Sequence, residues 1–171
     1  KKITFIPGLY KIFDEILVNA ANNCQLDPAT KNIRVEINAE EGFISVWNDG
    51  KAIPIEQIHD EADNTSYWIP ELTFGNLSSS PFGEKLTFRR GFGAKLTNIY
   101  SKLFIVELIS YNTHDDKYYE YVQRFTDHMS NIEKPQIKEV NKEQVIVSTK
   151  IKFYPDLSFF GMDKFDEDII S

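Results

Sequence analysis

Glu15 and Asn19 stand four residues apart in the run Asp14-Glu15-Ile16-Leu17-Val18-Asn19-Ala20-Ala21-Asn22-Asn23. Residues at that spacing are neighbours on a helix surface. A carboxylate placed there can polarise a water while the amide reaches a metal ion beside it. That pairing suits hydrolysis of a magnesium-bound phosphate. An isolated Glu-x-x-x-Asn also suits a solvated helix flank, so its weight depends on its companions.

Two companions exist. Asn48-Asp49-Gly50-Lys51-Ala52-Ile53-Pro54 follows a strand pattern and ends in a glycine turn. An amide at a strand end can present its oxygen to a base edge, although an ordinary strand-to-loop turn reads the same way. Arg89-Arg90-Gly91-Phe92-Gly93-Ala94-Lys95-Leu96 brings two glycines into the start of a helix. Glycine lets a backbone approach a phosphate closely, and the first N–H groups of a helix bind anions. Lys95 adds a point charge. The run lacks the upstream strand of a Rossmann or Walker loop, which excludes those two phosphate sites.

The elements that position these residues follow from periodicity. Leu9, Ile12, Phe13, Ile16, Leu17 and Ala20 form one apolar stripe at helical spacing. Ile33, Val35 and Ile37 alternate with polar residues, Glu40-Glu41-Gly42 is a turn, and Phe43 to Asn48 forms the second strand of a hairpin. Ile44, Val46 and Asn48 share its buried face. Residues 49–92 are mixed: a loop around Gly50 and Pro54, a short helix from Ile69 to Phe74, and a mobile segment from Asn76 to Arg90. Ala94 to Tyr100 is helical. Leu103–Ile109, Tyr118–Phe125 and Val145–Phe153 are strands, with a turn at His114-Asp115-Asp116. Tyr118, Tyr119 and Tyr121 belong to strand packing, and Phe159, Phe160 and Phe165 need a partner surface. The fold class is α+β, a two-layer sandwich with helices on one face of a mainly antiparallel sheet.

The chain has 171 residues, 42% of them hydrophobic, with a net charge of −7. That fits one domain spanning 1–171 with a sizeable core. The acidic balance argues against autonomous nucleic-acid binding. Cys24, the single cysteine, reads as a small buried side chain. No apolar run approaches membrane-spanning length, and His59, His114 and His128 show no metal-ligand spacing.

Taken in order, the three motifs resemble the Bergerat-type nucleotide fold of the GHKL superfamily. Longer runs narrow the resemblance: Gly8 to Ala21, Ile44 to Lys51, Pro70 to Gly75, Gly91 to Ile99 and Phe153 to Leu157 look like the ATPase domain of eukaryotic type II DNA topoisomerases. The resemblance implies ATP and Mg²⁺ as ligands, with Glu15 as general base and Asn19 as magnesium ligand. It implies nucleotide contacts from Asn19, Asn23, Asn48, Ser78, Ser79, Ser80, Arg90, Gly91, Phe92, Gly93, Ala94 and Lys95. It also implies a nuclear, homodimeric full-length enzyme with no membrane association, in which DNA is met by other domains. An N-terminal strap, a transducer and a cleavage domain are not visible here, so the chain reads as part of a longer one. Four departures stand out. Asn22 replaces an aspartate, Ala52 replaces a glycine, Phe88 and Arg90 crowd the glycine loop, and the segment before that loop is short. They open a second reading, a nucleotide-binding or interaction module of the same fold with weakened catalysis.

Overall fold

The computed structural model describes residues 7–26, 28, 30–62, 64–75 and 92–160, with backbone alone at 7, 22–26, 92 and 160. The apolar stripe forms helix α1 (Pro7–Leu26). The first hairpin is β1 (Ile33–Asn38) and β2 (Phe43–Asp49), closed by Gly42 at φ 78°. A second hairpin, β3 (Gln57–Asp60) and β4 (Thr65–Trp68), leads into the short helix α2 (Ile69–Gly75). Helix α3 (Phe92–Ile99) precedes the long strands β5 (Ser101–Asn112) and β6 (Lys117–Thr126). Then come β7 (Asn131–Ile132), β8 (Gln136–Val140) and β9 (Ser148–Pro155).

The main sheet runs β1-β2-β9-β5-β6-β7, with β8 also paired to β6, and every described pairing in it is antiparallel. The last strand thus lies in the middle, between β2 and β5. It starts at Ser148, later than the alternation from Val145 suggests, because Ser148 pairs with Asp49, the last residue of β2. Earlier residues have no β2 partner to extend the ladder.

Alternation puts Ile44 and Val46, Phe104, Val106 and Leu108, Tyr121 and Phe125, and Ile151 and Phe153 on one face, all buried. Leu9, Ile12, Phe13, Ile16 and Ala20 of α1 pack against them, with Phe74 and Ala94 from the other helices. Phe104 sits among Phe74, Phe125 and Phe153 with centroid separations of 6.3, 6.1 and 6.5 Å. Such ring pairs contribute roughly 0.5–1.5 kcal/mol each beyond their burial. The opposite face is lined by charge: Lys150 pairs with Glu107 and Lys138 with Glu120, while Lys152 lies over the Phe43 ring.

α2 is fixed at both ends. Near its start, Gln123 donates to Glu71 Oε2 at 3.1 Å and to the Glu133 carbonyl at 3.0 Å. The Tyr121 hydroxyl donates to the Gln123 side-chain oxygen. Burial pushes the Tyr121 phenol far up, so it stays a donor. At the other end Gly75 presses on β6: a Cβ there would stand 2.2 Å from Cε1 of the buried Phe125 ring. Gly75→Ala must displace that ring, and a loss of about 1–3 kcal/mol is expected in urea unfolding. Adding Phe125→Leu recovers part of it.

Candidate functional site

The apolar stripe of α1 faces the sheet, which leaves Glu15 and Asn19 half-buried at its edge. Beside them lies α3. The buried Thr97 hydroxyl donates to the Ile12 carbonyl at 2.8 Å and shares a second bond, at 3.2 Å, with Gly93 O in its own helix. One turn away, Gly93 meets Glu15: a Cβ on Gly93 would lie 1.9 Å from Glu15 Oε2 and 2.6 Å from its Cδ. Ile12 therefore faces Thr97 and Glu15 faces Gly93, so the helices run antiparallel along this contact. The N-terminal turn of α3 consequently lies beside the Glu15 carboxylate, on the side towards Asn19. Only glycine permits that approach.

The Glu15 carboxylate also takes an ion pair from Lys11, one turn back, at 2.6 Å. The pair holds the Lys11 ammonium above its usual range, first through the hydrogen bond and then through the charge of Glu15. Lys11 was not singled out from sequence, although its spacing of four from Glu15 was a legible signal.

Lys95 is the unusual group. It is 1% exposed, and its Nζ has no hydrogen-bond partner among the described residues. Desolvation alone lowers its pKa from 10.5 to about 8. A buried amine without a counter-charge is costly unless something pairs with it. A glycine, a helix N-terminus and an amine without a described partner lie within one short helix, a combination of groups that suits an anion such as a phosphate. The carboxylate and amide beside it are oxygen donors of the kind Mg²⁺ takes, alongside phosphate oxygens.

Asn48, next to last in β2, lies on the helix-covered face, 2% exposed, with Nδ2 donating to the Asp49 carbonyl at 2.9 Å. Its partner across the ladder is Thr149, also buried. Thr149 was missed from sequence, though it is the one polar member of the alternating set Val145, Val147, Thr149, Ile151, Phe153. Two polar side chains facing each other on the buried side of the sheet can read the edge of a flat heterocycle. The adjacent Asp49 has a structural task. Its carboxylate accepts from Lys31 N, Asn32 N and Asn32 Nδ2 at 2.8–2.9 Å. Those bonds, led by the Asn32 side chain, hold its pKa below the carboxylate norm.

Ala94 is buried in the core, and Phe92 opens α3. Ala52 is buried without a positive φ, so its methyl is accommodated where a glycine was expected; Gly50, at φ 98°, does need glycine. Ser78, Ser79, Ser80, Phe88, Arg90, Gly91 and the side chains of Asn22, Asn23 and Cys24 lie outside the described residues.

The Lys95 environment yields a pH dependence. Between about pH 8 and 10.5 the unfolded chain keeps a proton that the folded chain has released. Folded stability therefore rises with pH through that window, and the burden of the buried charge is greatest below it. Lys95→Met removes this component and stabilises the ligand-free chain near neutral pH. Denaturation midpoints across the window check it: the gap between variant and parent narrows as pH rises.

No protein-family model matches the chain. Individual relatives do. DNA topoisomerase 2 of Candida albicans is 51% identical over 176 aligned residues, covering 100% of this chain and 11% of the relative. The ATPase region of Saccharomyces cerevisiae topoisomerase II superposes with a TM-score of 0.80 at 44% identity, over 99% of this chain and 44% of that one. The 43K ATPase domain of Thermus thermophilus gyrase B, at 23% identity and a TM-score of 0.69, shares the fold. The chain spans about a tenth of the length of the curated relative and less than half of the yeast ATPase structure. Its whole length is matched in both sequence and structure, and it belongs to the eukaryotic DNA topoisomerase II family, where it corresponds to part of the ATPase region.

Proposed function

We propose that this chain binds Mg-ATP and hydrolyses it, as the nucleotide module of a type II DNA topoisomerase in which hydrolysis drives strand passage. The observation that carries this reading is the packing of the Glu15 carboxylate on Gly93, at the first turn of a helix that also carries the buried Lys95, whose amine has no partner among the described residues.

The division of labour follows from the chemistry. Phosphoryl transfer needs positioning and charge neutralisation more than covalent help. The N–H groups at the start of α3 and the Lys95 ammonium hold the phosphates, and Gly93 keeps the backbone close enough for them to do so. Glu15, beside that turn, orients a water and takes its proton. Lys11 holds the Glu15 carboxylate in place. Asn19 is the residue for Mg²⁺, which supplies further neutralisation of phosphate charge when bound. Asn48 and Thr149 face the adenine edge. Asn23, Ser78, Ser79, Ser80, Arg90, Gly91 and Phe92 complete the nucleotide contacts, on the strength of the family pattern alone.

We further propose that residues 1–171 form one domain of a longer protein. DNA is met by other domains of that protein, which acts as a homodimer in the nucleus without membrane association. The small share of the curated relatives that the chain spans supports a longer whole, and no helix among the described residues is long and apolar enough to cross a membrane.

Glu15→Gln tests the assignment of the base. Steady-state ATP hydrolysis is expected to fall about 10²–10⁴-fold, while a non-hydrolysable analogue binds within a few-fold of the parent. Hydrolysis at the parent rate, in a preparation free of contaminating ATPase, would remove Glu15 from that role.

A further inference from the structure

α3 carries two buried polar side chains whose hydrogen-bonding capacity is not filled. Lys95 Nζ is one, and Asn98 Oδ1, one turn later, is the other; neither has a partner among the described residues. Asn98 is fully buried, and its Nδ2 donates to the Phe74 carbonyl at 3.1 Å. Phe74 lies in the last turn of α2, where carbonyls lack partners within their own helix. A position that served packing alone would be better filled by leucine, because a same-shaped apolar side chain buries no unpaired oxygen. An asparagine here makes sense for what its other end does: it ties α3 to α2.

The tie has a rigid anchor. Glu71 joins α2 to Gln123 of β6, and Gly75 rests on the Phe125 ring. Residues three apart share a helix face, and side chains lean towards the helix N-terminus. Asn98 therefore overlies the turn that carries Lys95. On the other flank, Thr97 ties the same helix to α1 through the Ile12 carbonyl. α3 is thus held between two neighbours by hydrogen bonds from adjacent residues.

We infer that Asn98 is a positioning residue for the phosphate-facing end of α3: its bond to the Phe74 carbonyl fixes where Lys95 stands, and Asn98 itself does not touch the nucleotide. This rests on the nucleotide reading of the site. It assigns to a buried residue outside the glycine loop a share of the phosphate affinity.

A double-mutant cycle tests it. Binding of a non-hydrolysable ATP analogue with Mg²⁺ is measured for the parent, Lys95→Met, Asn98→Leu and the double variant. Asn98→Leu is expected to melt within a few degrees of the parent and to bind about tenfold more weakly, the equivalent of one lost hydrogen bond. Because it acts through Lys95, the double variant binds no more weakly than Lys95→Met alone. Should the leucine variant lose its cooperative melt, Asn98→Ser, too short to reach Phe74, takes its place in the cycle with the same expectation. Additive losses, or parent-like binding by a folded Asn98 variant, overturn the inference alone. A parent that binds no analogue overturns the nucleotide reading and this inference together.

Discussion

The approach of α3 to α1 is the constraint on which the rest of the site depends. Gly93 lies so close to the Glu15 carboxylate that no side chain fits between them, and the Thr97 hydroxyl bonds the Ile12 carbonyl one turn away. These two contacts fix both the separation and the antiparallel sense of the helices. They bring the first turn of one helix beside the acidic residue of the other. The apolar stripe of α1 and the buried face of the sheet then set the height of the pair above the strands. Without the glycine, the Glu15 carboxylate would have to swing aside and would lose its place beside the helix end.

Against that frame the polar residues inside the core divide by what they bond. Thr97 and Ser101 donate to backbone carbonyls, and Gln123 bonds Tyr121, Glu71 and the Glu133 carbonyl, so these groups are spent on the frame itself. The Lys95 amine has no hydrogen-bond partner among the described residues. A fold selected for stability alone would place an apolar side chain there. On the proposed reading the buried ammonium is a cost that an arriving anion removes, so the residue that weakens the ligand-free chain would strengthen the bound one. Asn48 and Thr149 form a second polar pair, facing each other across β2 and β9 on the buried side of the sheet.

Much of this was legible in the sequence where local period carries the signal. The stripe of α1, the burial of Asn48 and the glycine entry to α3 follow from spacings of 3.6 and 2 and from the backbone freedom of glycine. The short hairpin β3–β4 did not stand out, because its strands have four residues each and are mostly exposed or half-buried. Other features depend on partners far along the chain. Thr149 acquires meaning only when β9 inserts beside β2, and Asn98 only when α2 returns to it across 24 positions. The charge of Lys95 could be read off, but its isolation could not, since burial without a partner belongs to the packed state.

The central claim is that this chain holds a preorganised site for a magnesium-bound nucleoside triphosphate. Calorimetric titration of the chain with a non-hydrolysable ATP analogue, with and without Mg²⁺, tests it most directly. Saturable binding at one site per chain, tightening when Mg²⁺ is present, is expected. Absence of binding in both conditions would contradict it, and the buried amine and the glycine approach would then need another explanation.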